Sequence, residues 1–239
     1  MIIDKKTIIV VRVPGSTHAD LTCESILKAG GNAVCVPISK IERYQNEMMN
    51  AAAIVFPDGF SHLQTVLPGQ YFGRYLSKVL SKSLIKFIKG GGWILGLHEG
   101  FYALVHSGIL PGLDTKQVTI KCDAKRSFFL QWETIQCMKC RSPLVNHNDT
   151  YWLPRADDGV RILPETNDHL FQSKQAAFCY PDGSIAGICD VTGRVVGLIS
   201  SPEYALHDWQ DPRQNKKNRE NEGDGLRFFK RFVEVVNHA

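Results

Sequence analysis

The sequence WILGLHEGFYALVHSG at residues 93–108 joins a short apolar run to a segment with helical spacing. At the junction, Gly96 and Gly100 flank His98 at two residues on either side, the spacing of a sharp strand–turn–helix elbow. The central residue of such a turn is strained, and the flanking chain segments approach so closely that only glycine fits. The stretch therefore predicts an elbow that holds the His98 side chain at the carboxyl edge of a sheet, where ligands of open α/β sheets bind.

The first half of the chain alternates β-branched apolar runs with segments of helical periodicity. The predicted strands are TIIVVRV (7–13), NAVCVPI (32–38), AAAIVF (51–56) and WILGL (93–97), and the predicted helices lie near 18–29, 71–89 and 99–108. Continuous apolar strands joined by helices indicate a parallel sheet covered on both faces. We expect an α/β fold of the flavodoxin-like, doubly wound type.

The second half favours antiparallel strands joined by turns, followed by a closing helix near 225–236. The predicted strand segments are TKQVTIKC (115–122), SFFLQWETIQC (127–137), AAFCYPDGSIAGIC (176–189) and GRVVGLIS (193–200). Residues 207–225 are polar and mixed in charge, and we interpret them as a solvated loop. With neither linker nor repeat, residues 1–239 are expected to form a single domain.

Composition excludes several classes of function. The chain carries 28 Lys+Arg against 24 Asp+Glu, a net charge of +4 with interleaved signs, so neither nucleic acid nor a membrane surface is expected as a partner. No apolar run approaches the ~18 residues of a membrane helix. Seven cysteines without a secreted framework predict reduced thiols and a cytoplasmic location. Cys23 and Cys35 are expected in the core, and Cys137-x-x-Cys140 is one pair, too few for a zinc site of four ligands.

Several motifs resemble those of class I, triad-type glutamine amidotransferases, and among these the glutaminase subunit of phosphoribosylformylglycinamidine synthase, an enzyme of purine biosynthesis. The stretch WILGLHEGFYALVHSGILPG (93–112) is similar to the nucleophile elbow of that family, where a cysteine occupies the central position. Further similar motifs lie, in the family's order, at 13–16 (VPGS), 56–61 (FPDGFS), 185–189 (IAGIC), 193–198 (GRVVGL), 201–203 (SPE) and 223–225 (GDG).

The resemblance implies a site built for glutamine hydrolysis, with a cysteine nucleophile, a histidine base and an orienting glutamate. In this sequence the nucleophile position holds His98, the base position holds Ser201, and the orienting acid remains as Glu203. Losing the nucleophile or its base costs a triad enzyme about six orders of magnitude in turnover. The leading hypothesis is therefore a pseudoenzyme that binds a partner synthetase or ligase subunit.

The residues around the elbow also depart from the family pattern. Asp58 replaces the first glycine of the oxyanion loop, in which Gly59 remains, while Glu99 and Tyr102 replace uncharged Asn and Gln. New carboxylates beside that loop would oppose the negative charge that develops in amide hydrolysis. Residues 155–159 (RADDG) align with a family segment that contains a histidine absent here.

Three alternatives remain open at the level of sequence. Ser201 could act as the nucleophile with His98 as its base and Glu99 or Glu203 as the orienting acid, although the oxyanion donors are built around the elbow residue. A metal site could be formed by His98, Glu99, Asp58 and Asp157. The chain could also still deliver ammonia in purine synthesis, or bind a small molecule in the elbow pocket.

Apart from that metal alternative, no metal or cofactor is expected. The other seven histidines, His18 among them, show no ligand spacing and are expected at the surface or in the core.

Overall fold

A computed structural model describes most of the chain. The described residues are 3–14, 16, 18–43, 45–59, 68–112, 118, 120–122, 129–157, 160–162, 164–213 and 221–238. The predicted strands at 115–122 and 127–137 and the polar loop at 207–225 therefore fall partly outside the described residues. No helix in these ranges is both long enough and apolar enough to cross a membrane.

The described residues form eleven strands. These are β1 Thr7–Arg12, β2 Asn32–Pro37, β3 Ala53–Phe56, β4 Trp93–Leu97, β5 Ile120–Cys122, β6 Phe129–Cys137, β7 Thr150–Asp157, β8 Val160–Ile162, β9 Ala176–Cys179, β10 Ile185–Cys189 and β11 Val195–Leu198. Nine of them make one sheet in the order β2-β1-β3-β4-β11-β10-β9-β6-β7, while β5 and β8 pair separately. The strands from β2 to β11 in this order are parallel and the rest are antiparallel.

Helices cover both faces of the sheet, as predicted for a doubly wound fold. They are α1 His18–Lys28, α2 Ile38–Arg43, α3 Gln45–Met48, α4 Pro68–Val79, α5 Ser81–Lys89, α6 Glu99–His106, α7 Pro164–Gln172 and α8 Asp224–Asn237. Side chains of α4, α5 and α6 pack into one hydrophobic core, and those of α1 and α8 pack into another on the opposite face. The α/β fold class is confirmed.

Three details of the sequence prediction are wrong. The helix expected over 71–89 is two helices, because the backbone bends at Leu80 (φ −115°). Backbone hydrogen bonds from residue i+4 to residue i continue on both sides of Leu80, so the helical spacing of the apolar residues is preserved across the bend. The segment 193–200 is not purely antiparallel, since β11 lies between antiparallel β10 and parallel β4. Strand β7 is absent from the predicted segments; it contains Pro154, which is tolerated because β7 is an edge strand.

Candidate functional site

The predicted strand–turn–helix elbow is present between β4 and α6. His98 adopts φ 45° and ψ −104°, a left-handed conformation that a residue with a side chain rarely takes. A Cβ added at Gly100 would lie 2.0 Å from the carbonyl oxygen of Phe56, and one at Gly96 would lie 2.9 Å from the backbone of Phe101. The two glycines are therefore required by steric contact, and the strained turn holds His98 at the carboxyl edge of the sheet.

The loop after β3 places a carboxylate against the elbow. Asp58 is buried, and its Oδ1 lies 2.9 Å from His98 Nδ1 and accepts a hydrogen bond from the Gly59 amide at 2.7 Å. Because an ionised carboxylate only accepts, the ring nitrogen of His98 is the donor. Burial raises the pKa of Asp58, but the charge of His98 and hydrogen bonds from His18 and His98 outweigh it, so the net shift is far downward. Asp58 is thus an anion held by imidazoles.

The segment after β11 completes the site from the other side. The Ser201 hydroxyl donates to Asp58 Oδ2 at 3.2 Å, so its single proton does not go to His98. A serine nucleophile would need this proton to face an imidazole, whereas here it faces a carboxylate. Glu203 lies in the short 3-10 turn Pro202–Tyr204 and is fully buried. Burial, followed by the negative charge of Asp58, raises the pKa of Glu203 to about 7.

His18 belongs to this site, contrary to the expectation that it is an ordinary surface or core histidine. It starts α1, its Nδ1 lies 3.4 Å from Asp58 Oδ2, and its Nε2 lies 2.7 Å from the Tyr204 hydroxyl. Burial lowers the pKa of His18, but the contact with Asp58 and the negative charges of Asp58, Glu203 and Glu99 together outweigh it, so the net shift is upward. Gly59 makes this approach possible, because a Cβ there would lie 2.8 Å from the His18 ring.

The remaining predicted site residues surround the elbow. Tyr102 is buried with its ring 5.1 Å from that of His98, and Glu99 is buried in the first turn of α6. The side chain of Asp157 lies outside the described part of the structure, so the metal set predicted with it is not tested. The group of described residues able to hold a metal ion is His18, Asp58 and Glu203.

The cysteines whose side chains the structure describes lie in elements other than the elbow. Cys23 is in α1 and Cys35 in β2, as predicted, and both pack against the core. Cys137 ends β6, where burial raises its pKa to about 12. A thiol with a raised pKa is a poor nucleophile. Cys179 and Cys189 lie in strands β9 and β10.

An open α/β sheet with a strained elbow at its carboxyl edge defines an amidotransferase-like architecture, and comparison with known proteins agrees. Residues 5–184 match the CobB/CobQ-like glutamine amidotransferase domain, and the chain belongs to this family.

Among curated relatives, the phosphoribosylformylglycinamidine synthase subunit PurQ of Dehalococcoides mccartyi is 26% identical over 94% of this chain and 95% of its own. The corresponding subunit of Archaeoglobus fulgidus is 29% identical over 95% and 96%. A chain in the structure of PurLQS from Thermotoga maritima shares the fold, with a TM-score of 0.70, 19% identity and coverage of 96% of this chain and 98% of its own.

Proposed function

We propose that this chain is a single-domain subunit related to the glutaminase subunit of phosphoribosylformylglycinamidine synthase, and that it binds a synthetase without hydrolysing glutamine. The relatives it resembles over nearly their whole length are named as subunits of that synthase, which supports a role in purine biosynthesis with a partner chain. The loss of hydrolysis is argued from the site itself.

The observation that carries the proposal is the contact between His98 and Asp58. At the point where the family places a thiolate, this chain holds an imidazole whose Nδ1 is already bound to a buried carboxylate 2.9 Å away. An amide substrate there would develop negative charge beside Asp58, which opposes an oxyanion instead of stabilising it. Ser201, at the base position, has no basic nitrogen to accept a proton.

The experiment measures ammonia release from glutamine by tag-free protein, alone and with a phosphoribosylformylglycinamidine synthetase. A class I amidotransferase with an intact triad is the positive control. We expect no release above background in either condition. Turnover that is abolished by His98→Ala or Ser201→Ala would overturn the inactive assignment.

Partner binding is tested separately by size-exclusion chromatography of the mixed proteins. We expect this chain to co-elute with the synthetase, and the synthetase to form product from free ammonium in its presence. If the triad-bearing subunit co-elutes under the same conditions and this chain does not, the partner role is wrong even though the chain is inactive.

A further inference from the structure

Three side chains, of which the proposed function uses only Asp58, converge beside the elbow. One nitrogen of His18 and one carboxylate oxygen each of Asp58 and Glu203 lie within 4.8 Å of one another. They come from the start of α1, the loop after β3 and the turn after β11, so the sheet brings together residues far apart in sequence. Asp58 and Glu203 are buried, while the His18 side chain is 23% exposed and leaves a route from solvent.

One distance within this cluster fits the ligand spacing around a small ion. A tetrahedral ion with ligand distances of about 2.0–2.2 Å separates neighbouring ligand atoms by about 3.3–3.6 Å. His18 Nδ1 and Asp58 Oδ2 are 3.4 Å apart, a long and weak contact whose length matches one edge of such a tetrahedron. An imidazole combined with carboxylates suits zinc and its neighbours, whereas calcium and magnesium prefer oxygen ligands alone.

Glu203 independently points to a missing ligand. Glu203 is 1% exposed, and neither Oε1 nor Oε2 has a hydrogen-bond partner among the residues that the structure describes. A buried carboxylate without partners is costly, and buried charges in proteins are otherwise paired or bound to metals. Glu203 is thus an unsatisfied buried acceptor directed at the same point as His18 and Asp58.

The groups behind His18 and Asp58 are arranged as in the outer shell of a metal site. The Tyr204 hydroxyl lies 2.7 Å from His18 Nε2 and, with a pKa raised to about 12 by burial, stays neutral. If it accepts the Nε2 proton, Nδ1 is left free to bind a cation. Asp58 Oδ1 is fixed by His98 and the Gly59 amide, which leaves Oδ2 on the side of the cluster.

We propose that His18 Nδ1, Asp58 Oδ2 and the Glu203 carboxylate bind one divalent transition-metal ion of the zinc class. His98 orients Asp58 and is not itself a ligand. The ion compensates two buried carboxylates and joins α1, the loop after β3 and the turn after β11. This site differs from the metal set considered from the sequence, revises the expectation that no metal is bound, and stands whether or not the chain hydrolyses glutamine.

The test uses tag-free protein stripped with a chelator and titrated with Zn²⁺ by calorimetry in a non-coordinating buffer. We expect one equivalent to bind. Because outer-shell changes alone cost a metal site about 10–100-fold in affinity, His18→Gln and Glu203→Gln are each expected to weaken binding at least about 100-fold. His147→Gln, which removes an exposed histidine elsewhere, is the matched control and is expected to bind as the wild type does.

A second measurement separates this site from the cysteines. With Co²⁺ in place of Zn²⁺, we expect visible bands of nitrogen and oxygen ligation without thiolate-to-metal charge transfer, and we expect both site variants to lose them. Circular dichroism and urea unfolding verify that the variants are folded. The proposal is overturned if the wild type binds no equivalent of Zn²⁺, if folded His18→Gln and Glu203→Gln bind normally, or if the cobalt spectrum shows thiolate ligation.

Discussion

Asp58→Ala tests whether one buried carboxylate holds the candidate site together. Asp58 accepts from His98 Nδ1 at 2.9 Å, the Gly59 amide at 2.7 Å and the Ser201 hydroxyl at 3.2 Å. Each donor left buried without an acceptor costs about 1–3 kcal/mol, although the costs do not add when water enters the space. Removing one partner of a buried ion pair costs about 3–5 kcal/mol. We therefore expect the free energy of unfolding to fall by about 3–5 kcal/mol.

The assay is urea unfolding followed by tryptophan fluorescence at neutral pH, with chelator present so that no metal contributes. An unchanged m-value would show that the variant unfolds from an equally compact state. Asp58→Asn keeps the volume and one acceptor oxygen but loses the charge, so its loss is expected to lie between those of the wild type and Asp58→Ala. Asp20→Ala, which removes a carboxylate 69% exposed and its ion pair with Arg12, is the control and is expected to lose less than about 1 kcal/mol.

An Asp58→Ala protein within about 1 kcal/mol of the wild type would refute this reasoning, since it would make the pair with His98 energetically neutral. A more stable variant would refute it more strongly. That result would mean that desolvation of Asp58, together with its repulsion of Glu203, outweighs all of its contacts.

Two further predictions concern the framework of the site. Gly100→Ala is expected to lower the free energy of unfolding in urea by about 1–3 kcal/mol or more, because its Cβ would meet the Phe56 carbonyl at 2.0 Å. Gly90→Ala, whose Cβ meets atoms no nearer than 3.4 Å, is the control. Equal losses of stability in the two variants would contradict the steric argument. Burial, followed by the charge of Arg74, lowers the pKa of His106 in the folded protein below 6.5. As the pH drops through about 6.5, His106 is therefore protonated in the unfolded chain before it is protonated in the folded one, and the free energy of unfolding falls. His106→Gln is expected to flatten this part of the midpoint-against-pH curve, and an unchanged slope would show that His106 does not contribute.

The elbow and the parallel half of the sheet could be predicted from the sequence because their signals are local. Apolar runs, helical spacing and paired glycines each lie within about a dozen residues, and the strands and α6 follow them. The bend at Leu80 could not be predicted, since the apolar periodicity continues across it. Strand β7 contains Pro154, and only its edge position, which the local sequence does not show, makes a proline compatible with a strand.

The position of His18 was missed because its partners are distant in sequence, yet one available rule could have found it. His18, Asp58, His98 and Ser201 follow strands β1, β3, β4 and β11, which are consecutive neighbours in the parallel part of the sheet. The carboxyl ends of parallel strands meet at one edge, so side chains just beyond them converge. Ligand spacing along the chain, which was the criterion applied to His18, does not detect a site assembled in this way.

The substitutions at the elbow depend on one another physically. A carboxylate at position 58 beside a cysteine thiolate would place two anions in a buried site, whereas beside His98 it gains a charge-assisted hydrogen bond. The strained backbone at His98, which costs about 1–3 kcal/mol, persists although no thiol is presented there. The strain still has a consequence, because it directs the imidazole at Asp58 and leaves the other carboxylate oxygen facing His18. The fold has thus kept the geometry of a nucleophile elbow and uses it to fix a carboxylate.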